Sequence, residues 1–333
     1  MQSQQKSAAA ETQVTCLVIE PSRTVTRLSD DVRTGLLEVP RSLPPKYFYD
    51  ERGSLLFDQI CTTPEYYPTR TEDELLKQYA DSIISETLPG HIIELGSGTS
   101  KKTRRLFDAC ERLSHHCSYA PFDVCEPILE LATNELLSSY DWLDVTPMLG
   151  DYHAGMANLP THTGTNLFVF LGSTIGNLEP DEADLFIQDL RNCMSSGDYF
   201  LIGADRVKDI EVLNAAYNDS AGITAKFNLN LLRVLNREIG GNFDLSKFRH
   251  QAHFNASLGR IEMHLISLEN QEIKLEDLDT SFKLERDESI LTEISHKFQF
   301  EEIESLLFKR DFELVRHYQA DNQYFSLLLM RAI

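Results

Sequence analysis

The sequence predicts an α/β protein with a doubly wound, mostly parallel sheet, an antiparallel C-terminal edge and a second α+β lobe. Three observations support this fold class. Short apolar runs alternate with helical patterns between residues 71 and 205, as is typical of strands joined by crossover helices. The C-terminal segment has the pattern of a helix followed by two closely spaced strands. Residues 206–297 lose this rhythm and have no place in such a sheet.

The first predicted element of the sheet domain is a helix from Thr71, where Thr71 and Glu74 form a candidate capping box and Pro89-Gly90 supplies the stop. The strands expected after it are HIIEL, SYAPFDV, VTPML, TNLFVFLG and DYFLIGA. The helices expected between them are KKTRRLFDACERL, EPILELATNELLSSY and EPDEADLFIQDLRNCM. This spacing of strands and helices predicts parallel pairing.

The remaining segments complete the predicted domain organisation. FEEIESLLFKRDFELVRHYQADNQYFSLLLMRAI predicts a helix and a strand hairpin that adds the antiparallel edge. VLNAAYNDSAGITAKFNLNLLRVLNREIG predicts two helical pieces, and GRIEMHLISLE has the period of a strand. We therefore expect a disordered tail over residues 1–17, a sheet domain over 71–205 and 298–333, and a substrate-binding lobe over 18–70 and 206–297.

Composition limits the partners. The chain carries 31 Lys+Arg against 52 Asp+Glu, a net charge of −21, and such a surface repels phosphate backbones and anionic membranes. Small-molecule chemistry is favoured over nucleic-acid or membrane binding. Six cysteines without a CxxC pair, and a polar start without an apolar core, predict a reduced, cytoplasmic protein, which we expect to be a monomer. His250 and His253 form an H-x-x-H pair without a third ligand at suitable spacing, so no metal is expected.

The first predicted strand runs into a glycine turn, HIIELGSGTSKKT. Gly96 and Gly98 match the first two glycines of a dinucleotide fingerprint, but Lys101 stands where the third belongs. A phosphate-binding P-loop fails at the same position. The E-L-G-x-G pattern instead resembles the first motif of S-adenosylmethionine-dependent methyltransferases, in which backbone approaches a sulfonium amino acid. An NAD-dependent dehydrogenase is the disfavoured alternative.

Acidic residues follow the next two predicted strands. Asp123 can accept hydrogen bonds from both ribose hydroxyls, Asp151 can accept one from an adenine amine, and Tyr152 can stack on the adenine ring. Each acid alone is as well explained as a solvated turn residue. Acids at successive strand ends beside the glycine turn favour the methyltransferase interpretation.

Three long segments carry a more specific resemblance: LPPKYFYDERGSLLFDQICTTPEYYPTRTEDELL, FLGSTIGNL and LTEISHKF. They resemble the histidine Nα-methyltransferases of ergothioneine biosynthesis, and the likeness runs from about Pro40 to the C-terminus. The resemblance implies a Rossmann-like class I methyltransferase sheet and S-adenosyl-L-methionine as co-substrate. It implies trimethylation of L-histidine to hercynine, the first step towards ergothioneine.

The resemblance also implies roles for individual residues. Its cofactor contacts fall on Gly96, Lys102, Asp123, Asp151 and Tyr152. Its substrate contacts fall on Tyr66, Gly172, Asn177, Tyr217, Met263, Glu293 and Ser295. Tyr49 is the candidate catalytic residue beside the reacting amine.

Residue chemistry supports part of this assignment and leaves alternatives open. Glu293 and Ser295 are two residues apart, so on a strand both face one side. A carboxylate and a hydroxyl can then serve the two nitrogens of an imidazole. As alternatives, the pair lies on a solvated edge strand, Asn177 caps the following helix, and Met263 only fills a core. Rival functions are methylation of another amine, such as tryptophan or a tryptophan-derived amine, and non-catalytic S-adenosylmethionine binding.

Overall fold

The computed structural model describes residues 14–333. The strands in this range are β1 (Leu17–Val18), β2 (Arg41–Ser42), β3 (His91–Leu95), β4 (Ser118–Asp123), β5 (Asp144–Val145), β6 (Met148–Leu149), β7 (Asn166–Phe170), β8 (Tyr199–Asp205), β9 (Phe248–Asn255), β10 (Arg260–Ser267), β11 (Gln271–Leu275), β12 (Thr280–Leu284), β13 (Ser289–His296), β14 (Phe312–Gln319) and β15 (Phe325–Ala332). The α-helices are α1 (Leu28–Asp31), α2 (Glu51–Ile60), α3 (Tyr67–Thr87), α4 (Arg104–Arg112), α5 (Glu126–Ser139), α6 (Tyr152–Gly155), α7 (Pro180–Cys193), α8 (Ile210–Ala216), α9 (Ile223–Glu238) and α10 (Phe300–Phe308).

The larger sheet has the order β1-β6-β4-β3-β7-β8-β15-β14, with β5 beside β4. Strands β4, β3, β7 and β8 pair in parallel with one another, whereas β15 is antiparallel to both β8 and β14. This order confirms the predicted fold class, including the antiparallel C-terminal edge. The predicted strand VTPML is divided into two strands of two residues each, β5 and β6. Pro147 lies between them and has no amide hydrogen for a ladder.

Helices cover both faces of this sheet. On one face α3, α4 and α5 pack their apolar stripes against the strands, with Phe107 fully buried. On the other face α7 and α10 do the same, with Phe186 buried against Phe170. Burial of these stripes against the strands provides the main apolar driving force for the domain.

The predicted start of α3 is wrong. The helix begins at Tyr67, and the Thr71 hydroxyl donates to the Tyr67 carbonyl at 3.0 Å inside it, so Thr71 is not a cap. Pro68 occupies the first turn, where its missing amide hydrogen would have no helical partner. The entry into the helix is therefore four residues earlier than the Thr71–Glu74 pattern indicated.

The second sheet has the order β2-β13-β10-β9, and β11 and β12 form a separate hairpin. Helices α2, α8 and α9 share one apolar core with these strands and with residues 32–67. The segment at the N-terminal end differs from the expected division. Leu17 and Val18 pair with β6, and Ile19 packs in the core of the larger sheet. Residues 17–19 therefore contact the larger sheet, whereas residue 17 was expected in the tail and residues 18 and 19 in the substrate lobe; residues 1–13 of the predicted tail lie outside the described range.

Within residues 14–333, no helix combines the length and the apolar character needed to cross a bilayer.

Gly203 of β8 gives a test of the packing between α3 and the sheet. A Cβ at this position would lie 1.9 Å from Glu72 Oε1 and 3.1 Å from Phe325 Cε1. We expect Gly203→Ala to lower the free energy of unfolding by about 1–3 kcal/mol or more, because the buried carboxylate must move. Gly90→Ala is the control, since its Cβ would meet Thr165 O at an ordinary 3.7 Å. Equal denaturant midpoints for both variants would contradict this packing.

Candidate active site

The candidate residues gather at the carboxyl ends of the parallel strands, where α/β sheets form their ligand crevice. Gly96 follows β3 with φ +68°, and its amide donates to the Phe122 carbonyl at 2.8 Å. A Cβ on Gly96 would lie 3.4 Å from the Tyr152 ring. Gly98 has φ +49°, and a Cβ there would meet no atom within 4 Å among the described residues. The turn is therefore open above Gly98 and closed by an aromatic ring beside Gly96.

Asp123 and Asp151 are oriented by backbone amides. Asp123 accepts from the Gly98 amide at 2.8 Å and from the Cys125 amide at 3.1 Å. Burial raises the pKa of Asp123, and these amides oppose the rise. Asp151 caps α6 by accepting from the His153 amide at 2.9 Å. Both carboxylates thus have a set direction and retain acceptor capacity for a polyhydroxylated ligand.

The Tyr152 ring is half-buried in an aromatic group. It makes edge contacts with Phe122 and Phe170, with ring centroids 6.4 and 5.8 Å away. Because edge contacts hold a ring in one orientation, its remaining face is suited to stacking on a planar ligand.

Lys102 is paired with Glu72, a residue that the sequence analysis did not select. Glu72 is fully buried on α3, and its two carboxylate oxygens each lie 2.9 Å from the Gly172 amide nitrogen. Burial disfavours the charged form of Lys102, but the Glu72 carboxylate outweighs it and raises the pKa of Lys102. The sequence contains one signal for Glu72. It lies three and four positions before Leu75 and Leu76, and so on the apolar face of a predicted helix.

Glu293 lies on β13, which pairs with β10 along its length and with β2 at Ile290 and Leu291, and it is buried, so the alternative of a solvated edge-strand acid is wrong. It pairs across the strands with Met263, and the two residues are 9% and 1% exposed. Among the described residues no hydrogen-bond donor reaches the Glu293 carboxylate. Burial raises the pKa of Glu293 to about 7, and the Lys297 charge works against that rise. The Glu293 carboxylate therefore retains acceptor capacity for a ligand.

Ser295 belongs to a buried polar cluster with Tyr217, Lys297 and Asp205. The Tyr217 hydroxyl donates to Ser295 Oγ at 2.9 Å, and Lys297 Nζ donates to both hydroxyls at 2.8–2.9 Å. The Lys297 ammonium also lies 3.0 Å from Asp205 Oδ2. Neither Lys297 nor Asp205 was expected from the sequence, whereas Tyr217 was expected to contact the substrate.

The remaining tyrosines connect the two sides of the crevice. The rings of Tyr66 and Tyr217 meet edge to face at 6.0 Å. Tyr49 packs against Phe227, and burial raises the pKa of Tyr49 with contributions from Glu293 and Tyr152. Tyr49 therefore lies near both the ring-stacking residue and the buried acid.

Asn177 ends the short 3₁₀ turn Thr174–Asn177 that follows β7. It is not the cap of α7, because Glu179 holds that position and forms a capping box with Glu182. The same turn packs against β13, and a Cβ on Gly176 would lie 2.7 Å from the His296 carbonyl. Asn177 therefore ends a turn that packs against β13 and has no capping role.

Of the H-x-x-H pair, His253 groups with Glu262 and His264 in the structure, and His250 does not belong to this group. His253, Glu262 and His264 face one another across β9 and β10, with both imidazole Nε2 atoms 3.6–3.7 Å from one Glu262 oxygen. Two potential ligands thus accompany His253 that sequence spacing did not reveal. Arg260 Nε lies 2.9 Å from the other Glu262 oxygen, so a cation already neutralises this carboxylate.

Known proteins match most of the length of this chain. A family model described as "Histidine-specific methyltransferase, SAM-dependent" matches residues 28–332. A histidine N-alpha-methyltransferase of Mycolicibacterium smegmatis is 44% identical over 83% of this chain and 86% of that protein. One from Mycobacterium tuberculosis is 42% identical over 82% of this chain and 84% of that protein. Ergothioneine biosynthesis protein 1 of Schizosaccharomyces pombe is 29% identical over 84% of this chain, which spans 37% of that protein.

The raised pKa of Glu293 predicts a pH dependence of stability in the ligand-free protein. Between the ordinary value of 4.5 and about 7, the folded state holds this proton more often than the unfolded state. Stability is therefore lost as pH rises through that window, by on the order of 3 kcal/mol. Glu293→Gln removes the ionisation, so its stability relative to the parent should increase from pH 5 to pH 8 in denaturant titrations. Glu285→Gln, at an exposed site, is the control. A constant difference between parent and Glu293→Gln would contradict the assignment.

Proposed function

The chain belongs to the histidine-specific, S-adenosylmethionine-dependent methyltransferases, and from that premise we propose that it adds three methyl groups to the α-amine of L-histidine, giving hercynine. It is an S-adenosylmethionine-dependent N-methyltransferase. The proposed product places the reaction at the first step of ergothioneine biosynthesis. The observation that carries the choice of substrate is the buried Glu293, without a protein donor, two residues from the Ser295 hydroxyl on one strand.

The glycine turn and its neighbours fit the co-substrate. S-adenosylmethionine supplies a methyl group on a sulfonium, which becomes a neutral thioether when the methyl leaves. We propose Asp123 for the ribose hydroxyls, Asp151 for the adenine amine and Tyr152 for stacking on the adenine. The open space above Gly98 and the backbone-directed Asp123 support this assignment. We propose that Gly96, which has no side chain to meet the Tyr152 ring, lets the turn pass beside that ring, and that the space at Gly98 admits close backbone approach.

Lys102 is proposed to meet the amino-acid end of the co-substrate, and Gly172 to lie beside the reacting amine of the substrate. The Lys102 side chain is 22% exposed, and a carboxylate is the natural complement of its ammonium. The Gly172 amide already donates to Glu72, so Gly172 would contact ligands through its carbonyl and its missing side chain. Its φ of +78° is one that only glycine adopts at little cost.

Histidine is proposed to lie across the crevice with its ring at β13. Glu293 accepts an N–H of the imidazole, Ser295 serves the other nitrogen, and Met263 flanks the ring. Tyr66 and Asn177 provide neutral donors for the substrate carboxylate. Tyr217 is proposed to act through Ser295, since its hydroxyl proton is directed there. Polar groups buried for a specific ring disfavour amino acids that would leave them unpaired.

Methyl transfer to nitrogen needs a neutral amine about 3 Å from the methyl carbon and in line with the breaking bond. Selecting the neutral amine costs about 1.4 kcal/mol for each pKa unit. Burial first, then the nearby Glu293, raises the pKa of Tyr49, so this phenol stays protonated. We propose that Tyr49 orients the amine by hydrogen bonding and does not act as a phenolate base. Displacement at a sulfonium methyl requires no metal.

Two alternatives are less well supported. Tryptophan or a tryptophan-derived amine offers one ring N–H and no ring acceptor, which would leave one of Glu293 and Ser295 unpaired. A non-catalytic binding module would have no use for a buried, donor-free carboxylate beside the co-substrate residues. The acidic surface supports our further proposal of a monomer that acts in the cytoplasm on small molecules.

The direct test is mass spectrometry of the purified protein incubated with S-adenosylmethionine and L-histidine. We expect products carrying one, two and three added methyl groups, with the trimethylated betaine accumulating at long times. Parallel incubations with tryptophan should remain unmodified. Absence of any methylated histidine, with S-adenosylmethionine binding intact by calorimetry, would favour the binding module.

Glu293→Ala tests ring recognition. We expect kcat/KM for histidine to fall by about ten- to a thousandfold, because an imidazole N–H loses its charged acceptor. The Kd for S-adenosylmethionine should change little. Glu285→Ala, an exposed acid in the turn before β13, is the matched control and should behave as the parent. Equal losses of affinity for both substrates in Glu293→Ala would argue against ring recognition.

A further inference from the structure

The Ser295 hydroxyl has a determined direction in the polar cluster. A serine hydroxyl accepts through two lone pairs and donates one hydrogen. The Tyr217 hydroxyl donates to Ser295 Oγ at 2.9 Å and Lys297 Nζ donates to it at 2.8 Å. Both lone pairs are thereby used. Among the described residues no acceptor takes the Ser295 hydrogen, which is left for a ligand.

Lys297 joins this cluster to a buried carboxylate. Its side chain is 1% exposed; Nζ donates to the Tyr217 and Ser295 hydroxyls and forms an ion pair with Asp205, with Nζ 3.0 Å from Oδ2. An ammonium has donors and no acceptor, so neither hydroxyl can donate back to it. Because the Tyr217 hydrogen uses one lone pair of Ser295 Oγ and Lys297 uses the other, Ser295 can meet a ligand only as a donor.

The second ring contact has the opposite polarity. Glu293 lies two residues from Ser295 on β13, and none of the hydrogen bonds among the described residues is donated to its carboxylate. We propose that Lys297 is a positioning residue that holds Ser295 as a hydrogen-bond donor, so that the pocket selects a neutral azole with one N–H and one bare nitrogen. This inference rests on the proposed function and specifies the form of the substrate.

The selected class of rings is narrow. A neutral imidazole offers an N–H to Glu293 and a bare nitrogen to Ser295, and a triazole offers the same pair. A pyrrole or an indole has the N–H and no bare nitrogen, so the Ser295 hydrogen would stay unpaired. An imidazolium carries hydrogens on both nitrogens and would direct one of them at the Ser295 hydrogen.

The test compares kcat/KM for L-histidine with that for β-(pyrrol-2-yl)-L-alanine, which has a similar shape and lacks the bare nitrogen. The parent enzyme should favour histidine by about tenfold or more. Lys297→Met releases the Ser295 hydroxyl to rotate, and the ratio should fall severalfold towards one. Lys297→Gln keeps N–H donors and should recover part of the ratio.

Lys208→Met is the matched control. Lys208 pairs with the same Asp205 carboxylate but donates to Tyr67 and not to Ser295. Its ratio should equal that of the parent, whatever happens to the absolute rates. If Lys297→Met does not fold, the double variant Lys297→Met/Asp205→Asn removes the unpaired carboxylate and takes its place.

The outcomes separate the two hypotheses. A parent enzyme that makes no methylated histidine contradicts the proposed function itself. A parent enzyme that methylates histidine, with Lys297→Met losing both substrates by the same factor, overturns the positioning role alone. The same conclusion follows if Lys208→Met lowers the ratio as much as Lys297→Met.

Discussion

The buried carboxylate of Asp205 is the constraint on which the rest of the crevice depends. It ends β8 and is fully enclosed, where it accepts from Tyr67, Lys208 and Lys297. Burial alone would raise the pKa of Asp205, but the two ammonium groups hold it below its usual range. A buried charge without partners costs several kcal/mol. The segments that carry Tyr67, Lys208 and Lys297 are therefore held in place around the Asp205 carboxylate. The end of β13 is thereby fixed against the larger sheet.

A second buried carboxylate plays the corresponding part on the co-substrate side. Glu72 joins α3 to Lys102, after the glycine turn, and to the Gly172 backbone, after β7. Glu72 and Tyr67, which donates to Asp205, both belong to α3. One helix is therefore joined to both buried carboxylates. This helix relates the proposed methyl donor site to the proposed ring site. The distance between amine and methyl group, on which an in-line displacement depends, is therefore set by packing and buried charge together.

The sequence predicted the features that local patterns encode. Apolar runs and helical stripes gave the parallel strands and their helices, because burial on two faces imposes those periods. The ligand roles came from resemblance over long motifs. The pairs Glu72–Lys102 and Asp205–Lys297 were missed because their members lie 30 and 92 positions apart in the chain. No local period marks such a pair, and only the fold reveals which acid meets which base.

The measurement that tests this account most directly is a crystal structure with both L-histidine and S-adenosylhomocysteine bound. Our account predicts one ring nitrogen within hydrogen-bond distance of the Glu293 carboxylate and the other at the Ser295 hydroxyl. It also predicts the α-nitrogen facing the sulfur, with Tyr49 beside it. A histidine ring bound away from β13, or an α-nitrogen turned from the sulfur, would contradict it.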